Sequence, residues 1–226
     1  PMLMLRNTFQ WILKAYIWAT YRLYNEFAWS YDIVSWLVSL GQWSKWRHKA
    51  LEHVVGRRVL EIGFGTGELL IEMAGKGYTL VGLDNSAAMH TITRRKLIRR
   101  GIKAARVRAK AQETPFRSKS FDSIISTFPA EYILHLETLY EAARLLCDPD
   151  PETSFPGGRL IIAGSSIHTS NPLLRQKMKR ILGRAPGDLF SEFEKLAEKA
   201  GFNTKIIYED DKWISAPVII LEKNYT

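Results

Sequence analysis

The run VLEIGFGTGELL, residues 59–70, constrains the fold more than any other part of this 226-residue chain. Apolar residues are followed by Glu61, by glycines at 63, 65 and 67, and by an apolar stretch with helical spacing. This order predicts a buried strand that turns sharply into a helix. Gly63 and Gly65 allow a positive φ and let a ligand approach the backbone, and Gly67 allows close contact between helix and strand.

The next apolar run, TLVGLD, predicts a neighbouring strand that ends at Asp84. The Asp84 carboxylate would then lie at the carboxyl edge of the sheet, where it could accept both hydroxyls of a ribose. A dinucleotide fingerprint requires glycine at the position of Glu68, whose charge would repel a pyrophosphate. The spacing therefore favours a nucleoside-containing cofactor other than a dinucleotide. An ordinary strand–helix turn in an α/β protein is the alternative.

The pattern acid-x-Gly-x-Gly-x-Gly at residues 61–67 resembles motif I of the class I S-adenosylmethionine-dependent methyltransferases. The resemblance implies that S-adenosylmethionine is the cofactor. It also implies a site built from Gly63, Gly65, Gly67 and Asp84, with Glu61 as a counter-charge near the methionine amino group of the cofactor.

Two further segments resemble the same family. In NSAAMH, residues 85–90, Asn85 follows the second strand, Ser86 is a good helix N-cap, and Met89 would pack on the adenine unless it is plain core filler. In AKAQETPFRSKSFDSII, residues 109–125, the resemblance implies that Ala111 and Gln112 border the adenine. The preceding position often carries an aspartate in this family, and here it is a lysine, which puts the usual adenine hydrogen bond in doubt.

Strands alternate with helices from about residue 50 onward, which predicts a doubly wound, mostly parallel sheet. Further strands are expected near 104–109, 121–126, 159–164, 205–210 and 216–223, and helices near 66–76, 86–100, 131–146 and 188–200. No helix separates the last two strands, so they should pair as an antiparallel hairpin. The order resembles the α/β, Rossmann-like, seven-stranded methyltransferase sheet with added N-terminal helices. We expect residues 1–50 to form a helical, membrane-associating cap and 51–226 the S-adenosylmethionine-binding domain.

The chain has a formal net charge of +9, which favours an anionic partner, either nucleic acid or a membrane surface. Its aromatic N-terminal segment is too often interrupted by polar residues to span a bilayer and suits an interfacial helix, or packing on the protein itself or a second subunit. A basic amphipathic helix predicted at 170–186 could contact lipid, cover the acceptor or simply face solvent. The single cysteine, Cys147, favours a reducing, cytoplasmic setting, and we interpret it as a small apolar packing residue. The five histidines show no metal-ligand spacing, so no metal is expected.

The segment upstream of residue 52, with Tyr31-Asp32 and Ser-Leu-Gly at 39–41, resembles ubiquinone and menaquinone C-methyltransferases and related phospholipid N-methyltransferases. The resemblance implies a small or lipid-like apolar acceptor. Tyr31 would line its pocket, and Glu131, Tyr132 and His168 are the catalytic candidates, because all should flank the carboxyl ends of strands. Each of the three could equally have a structural role.

We therefore predict methyl transfer from S-adenosylmethionine to a quinone- or phospholipid-type acceptor, by a cytoplasmic protein peripheral to the inner face of a membrane. Two alternatives stay open. The basic run RRKLIRRGIKAARVRAK would suit an RNA methyltransferase. A protein that binds S-adenosylmethionine without transferring its methyl group would carry the same donor motifs. The accepting atom and the oligomeric state are not predicted.

Overall fold

Seven strands and five α-helices make up the computed structural model, which describes residues 43–164, 186–208 and 217–224. The strands are β1 (Arg58–Ile62), β2 (Thr79–Leu83), β3 (Ala105–Val107), β4 (Ser123–Thr127), β5 (Arg159–Ala163), β6 (Phe202–Ile207) and β7 (Val218–Lys223). The helices are α1 (Trp43–Glu52), α2 (Glu68–Ala74), α3 (Ala87–Arg99), α4 (Leu136–Leu145) and α5 (Pro186–Lys199), with a 3₁₀ turn at Glu131–Leu134.

The strands form one sheet in the order β3-β2-β1-β4-β5-β7-β6. The first five are parallel, whereas β7 runs antiparallel to both β5 and β6. The strand order reverses between β1 and β4, and in open α/β sheets ligands bind at this kind of switch point, beyond the carboxyl ends of the strands. The Rossmann-like sheet and its C-terminal antiparallel hairpin are both as predicted.

The central strands are buried on both faces because helices cover the sheet on each side. Leu60, Ile124 and Leu160 are register partners on one face, where α4 and α5 pack against them. Val59 and Ile125 belong to the opposite face, which α1 and α2 cover. Glu61 pairs in register with Ile125 and so lies on the second face, between sheet and helices.

The predicted helix at 131–146 is interrupted in the structure. Residues Glu131–Leu134 form a 3₁₀ turn, His135 is extended with φ −82° and ψ 130°, and α4 begins only at Leu136. The Oγ1 hydroxyl of Thr138 donates to the Tyr132 carbonyl at 2.7 Å, which takes the place of a continuous helical bond. The interruption lets the turn fold over the end of β1. The other elements lie within about three residues of their predicted positions.

Several predicted features lie outside the described residues. These are Tyr31, His168, the aromatic N-terminal segment and the basic helix at 170–186. The division of the chain at residue 50 stays a prediction, and α1 runs across it, with Ala50 packed in the core beside Val59. No helix in the described ranges is long and apolar enough to cross a membrane.

Gly67 sets the distance between α2 and α3. It has φ +79° and caps the start of α2, and a Cβ at this position would collide with the side chain of Thr93 in α3. The close contact thus joins two helices, whereas the sequence had suggested a helix and a strand. Thr93 also donates its Oγ1 hydroxyl to the carbonyl of Gly65 at 2.9 Å, so α3 holds the glycine turn in place.

Replacing Gly67 with alanine should lower the free energy of unfolding, because it adds a collision with Thr93 to the cost of a positive φ. Gly77 has the same φ of +79° but open space where its Cβ would lie, so Gly77→Ala is the matched control. We expect Gly67→Ala to be the more destabilising by roughly 1–3 kcal/mol, the range for overpacking, in urea denaturation. Equal losses for the two variants would contradict this account of the helix contact.

Candidate functional site

The Asp84 carboxylate joins two of the loops at the carboxyl edge of the sheet. One oxygen accepts the N–H of Gly65 at 2.9 Å, and the other accepts the N–H of Ser86 at 2.8 Å. Burial raises the pKa of Asp84, while these two hydrogen bonds act in the opposite direction. Each carboxylate oxygen has a second lone pair, so Asp84 could still accept a ligand hydroxyl.

All three glycines of the turn between β1 and α2 have a positive φ, which is +74° at Gly63, +51° at Gly65 and +79° at Gly67. Among the described residues, and apart from Gly65 itself and its two chain neighbours, no heavy atom lies within 4 Å of the place where a Cβ on Gly65 would stand. The same position on Gly63 is filled by the hydroxyl of Tyr132. A ligand can therefore approach the backbone at Gly65, whereas the absence of a side chain on Gly63 makes room for the protein itself.

Glu61 is a buried carboxylate at the same edge, with only 2% of its surface exposed. Burial raises its pKa to about 8, and the charge of Asp84 acts in the same direction. The Arg47 guanidinium and a hydrogen bond from the Leu70 N–H oppose this rise. Its Oε2 atom is buried and has no hydrogen-bond partner among the described residues. A buried carboxylate oxygen in this state is a place where a cationic group of a ligand would be stabilised.

The other predicted cofactor-binding residues differ in exposure. Ala111 is buried, and Gln112 Nε2 lies 3.3 Å from Nδ1 of His135. Asn85 is exposed. Met89 is fully buried in the core that α2 also contacts, as expected if it is core filler, and its N–H donates to Oγ of the N-cap Ser86 at 3.4 Å. The contact of these side chains with an adenine stays a prediction.

The hydroxyl of Tyr132 lies in a hydrogen-bond network at the end of β1. Ser126 donates its Oγ hydroxyl to the carbonyl of Ile62 at 2.9 Å, and the Tyr132 hydroxyl has two acceptors in reach, Ser126 Oγ at 2.8 Å and the same carbonyl at 3.2 Å. These bonds position the phenol ring over the glycine turn. Glu131, the neighbouring candidate, is exposed at the start of the 3₁₀ turn. Both residues lie beyond the carboxyl end of β4, as expected.

Three residues that the sequence did not single out also lie at this edge. Phe128 follows β4 with φ +52°, and its ring occupies the space that a Cβ on Gly164 would fill. The ring centroid is 6.0 Å from that of Trp46, a buried residue of α1. The positive charge of Arg47, also on α1, acts to lower the pKa of Glu61. The strain at Phe128 and the contacts of α1 depend on tertiary packing, so no local pattern in the sequence indicates them.

Neither a metal centre nor a reactive thiol is evident in the part of the chain that the structure describes. No group of three or more histidine, cysteine or acidic side chains there could hold a metal ion. Cys147 is buried, and burial raises the pKa of its thiol. Its Sγ donates to the carbonyl of Lys119 at 2.9 Å, so the thiol has a packing role, as predicted.

Comparison with known proteins shows a methyltransferase domain in part of the chain. A methyltransferase domain family matches residues 59–149, which include most of β1, the glycine turn, Asp84 and α4. The demethylmenaquinone methyltransferase of Thermus thermophilus is 31% identical over 149 residues, which are 62% of this chain and 63% of that protein. The match and this relative support a class I S-adenosylmethionine-dependent methyltransferase domain.

Solved methyltransferase structures share the fold. The geranyl diphosphate C-methyltransferase of Streptomyces coelicolor superposes with a TM-score of 0.59 at 12% identity, over 80% of this chain and 79% of that one. Phosphoethanolamine N-methyltransferase 2 of Haemonchus contortus gives 0.58 at 15% identity, over 82% of this chain and 53% of that one. The chain spans between 56% and 63% of the length of the first curated relatives it matches.

The residues of the chain fit the cofactor of the class I methyltransferases. Among the described residues the Oε2 atom of Glu61 has no hydrogen-bond partner, which suits an ammonium group, and the space over Gly65 admits a ligand against the backbone. Glu68 pairs with Lys96 at 2.7 Å and with Arg100 at 3.7 Å at the start of α2. The place where a dinucleotide would need its phosphates is therefore held by an ion pair, which fits a cofactor without phosphate.

The raised pKa of Glu61 predicts a pH dependence of stability. Below about pH 4.5 the carboxyl is protonated in both states, and between pH 4.5 and 8 only the unfolded state loses the proton. The free energy of unfolding should therefore fall as pH rises through this window, by about 1 kcal/mol per pH unit from this group. Urea denaturation at several pH values measures this decline. Glu61→Gln should remove it, whereas Glu194→Gln, at an exposed position of α5, should keep it. Parallel profiles for wild type and Glu61→Gln would refute the assignment.

Proposed function

We propose that this methyltransferase transfers a methyl group from S-adenosylmethionine to a quinone-type acceptor. Two carboxylates at the glycine turn carry the proposal. Asp84 is half-buried and Glu61 is buried, and the backbone of Gly65 between their loops is open to a ligand among the described residues. The demethylmenaquinone methyltransferases among its relatives support the choice of acceptor.

The donor side of the proposal assigns roles to three residues. S-adenosylmethionine supplies a methyl group already activated by the positive charge on sulfur. Asp84 would accept the ribose hydroxyls with the lone pairs that Gly65 and Ser86 leave free. Glu61 would face the methionine amino group, whose positive charge would shift the carboxyl toward its ionised form. Binding would then release a proton from Glu61 at neutral pH, since its pKa without ligand is about 8.

The acceptor side would lie beyond the carboxyl ends of β4 and β5. Phe128 and Tyr132, both half-buried, offer aromatic rings there, which suit a planar acceptor, and the buried Trp46 packs near Phe128. Tyr31 and His168 are proposed to complete the pocket. A network that fixes the Tyr132 ring serves orientation, and alignment of acceptor and sulfur supplies most of the rate enhancement in a reaction with an activated donor.

Proton removal is a second requirement if the acceptor is a hydroquinone. Loss of a phenolic proton raises the electron density at the ring carbon that accepts the methyl group, and that carbon must then lose its own proton. Glu131, exposed at the mouth of the site, is the described carboxylate best placed to take a proton. The Tyr132 hydroxyl is already engaged by Ile62 and Ser126, which favours a positioning role.

Peripheral membrane association is a further part of the proposal. A long apolar quinone partitions into the bilayer, so an enzyme that methylates it has to work at the membrane surface. The net charge of +9 favours a surface with anionic lipids. We propose that the aromatic N-terminal segment and the basic helix at 170–186 contribute to this contact.

Loss of the Asp84 charge should weaken donor binding. Asp84→Asn retains an acceptor oxygen for the loop, so it is a milder change than Asp84→Ala, which would also free the N–H groups of Gly65 and Ser86. We expect a loss of about 1.5–3 kcal/mol in the binding of S-adenosylhomocysteine by calorimetry, the range for hydrogen bonds to charged groups. Glu68→Gln removes a carboxylate from the same turn and should bind with nearly unchanged affinity. Wild-type affinity in a folded Asp84→Asn protein would reject the ribose contact.

Transfer of labelled methyl groups tests the function itself. The full chain, incubated with labelled S-adenosylmethionine and separate quinone, phospholipid and RNA fractions, should label the reduced quinone fraction. Glu131→Gln should reduce turnover by less than about tenfold, because orientation contributes more than proton transfer. The control is Glu137→Gln, at an exposed position of α4, which should have wild-type turnover.

Three results would change this conclusion. Label in RNA would favour the nucleic-acid alternative, and no label in any fraction despite tight binding of S-adenosylhomocysteine would favour a non-catalytic binding protein. A fall of more than about a thousandfold in turnover for Glu131→Gln, with unchanged donor affinity, would make Glu131 an essential base.

A further inference from the structure

A strongly basic surface lies at the β3 edge of the sheet and extends to Glu68, which follows the glycine turn. Between residues 94 and 110 the chain carries only cationic charged side chains, at positions 94, 95, 96, 99, 100, 103, 106, 108 and 110. Glu68 pairs with Lys96 and Arg100. Within the described parts of the chain, none of the other seven cations has an ion pair. This surface therefore concentrates much of the positive charge of the protein.

A cavity opens within this basic surface, between α3 and β3. Its volume is about 420 Å³, which is within the range of small-ligand sites. Arg94, Lys103 and Arg106 supply cationic groups to its wall. Leu97, Ile98 and Ile102 supply apolar groups to the same wall. The combination of both kinds of surface in one cavity matches a ligand that is itself both anionic and apolar.

The cationic groups of the cavity repel one another. Burial lowers the pKa of Arg106, and the neighbouring charge of Arg94 lowers it further. The Nη1 atom of Arg106 donates to the carbonyl of His90 at 3.0 Å, whereas its buried Nε has no partner in the described residues. An anion in this cavity would relieve the repulsion between the two guanidinium groups.

Ile98 indicates what kind of anion fits. Its side chain is 66% exposed, the largest exposed fraction among the described large apolar residues, and it lies on the rim of the cavity between basic side chains. An exposed isoleucine among basic side chains can insert into the interface of an anionic bilayer, where the apolar and the cationic groups are both stabilised. Surfaces that bind single-stranded nucleic acid use aromatic rings for stacking, and residues 94–110 contain none.

We propose that the cavity between α3 and β3 binds the headgroup of an anionic membrane phospholipid, with Ile98 inserted beside it. Arg94, Lys103 and Arg106 would contact the phosphate, and the apolar wall would contact the glycerol and the first acyl carbons. Its ligand would be a different one from the methyl donor and acceptor, although Arg106 also supports the Asp84 loop through His90. The proposal does not depend on the identity of the methyl acceptor. It would bring this edge of the sheet against the membrane surface.

Co-sedimentation of the full chain with vesicles tests the proposal. The probes are phosphatidylcholine vesicles with and without phosphatidylglycerol. Arg94→Gln/Lys103→Gln removes two exposed cations from the rim and should weaken partitioning onto the anionic vesicles by roughly ten- to thirtyfold at low salt. Ile98→Asp should weaken it as well. Arg106 is left unchanged, because its contact with His90 supports the loop that carries Asp84.

Matched controls change the same chemistry elsewhere. Lys195→Gln/Lys199→Gln removes two exposed cations from α5, and Tyr140→Asp places an acid at an exposed apolar position on α4. Both should bind anionic vesicles like wild type, and all four variants should keep wild-type affinity for S-adenosylhomocysteine. That retained affinity shows that the protein is folded.

Three outcomes would overturn the proposal. The first is that wild type does not bind anionic vesicles. The second is that the α3 variants bind them as well as the α5 and α4 controls do, which would leave membrane contact to other parts of the chain. The third is that the α3 variants keep vesicle binding but lose binding to an RNA oligonucleotide, which would assign the basic surface to nucleic acid. None of these results bears on whether the protein transfers methyl groups.

Discussion

The carboxylate of Asp84 is the contact on which the geometry of the site depends. Its two oxygens hold the N–H of Gly65 in the glycine turn and the N–H of Ser86 at the start of α3. Thr93, from the same helix, holds the carbonyl of Gly65. Residues that follow β2 thus bind both the backbone N–H and the backbone carbonyl of Gly65, which fixes the turn. A ligand that binds Asp84 meets a backbone already held in place, which reduces the entropy cost of binding.

The neighbouring carboxylate, Glu61, differs in what satisfies it. Asp84 is hydrogen-bonded at both oxygens, whereas Glu61 has a pKa of about 8 and a buried oxygen with no hydrogen-bond partner among the described residues. One carboxylate therefore stabilises the loops, and the other is proposed to be stabilised by a ligand. The proposed cofactor contacts follow this division, because Asp84 would accept the ribose hydroxyls and Glu61 would face the cationic amino group.

The sequence predicted those parts of the site that depend on local geometry. Positive φ at Gly63 and Gly65, a carboxylate after the second strand and a serine N-cap each follow from residue type and spacing, and the structure confirms all of them. The alternation of strands and helices likewise predicted the mostly parallel sheet, and the lack of a helix between the last two strands predicted the hairpin. What the sequence did not indicate comes from distant contacts. The collision avoided at Gly67 involves a threonine in another helix, and the break in the helix before Leu136 results from tertiary contacts of Tyr132.

The roles of α1 and of Phe128 also depend on distant contacts that the sequence does not indicate. Arg47 and Glu61 are separated by a loop and half a strand, and only the packing of α1 on the sheet brings their charges together. Phe128 has a positive φ, and its ring fills the space left by the missing Cβ of Gly164, which follows β5. A strained residue persists only where its surroundings over-determine it, and such residues cluster at ligand sites. The proposed acceptor pocket would therefore be specified mostly by contacts between elements, which is why methyl donor sites are easier to recognise in a sequence than the acceptors they serve.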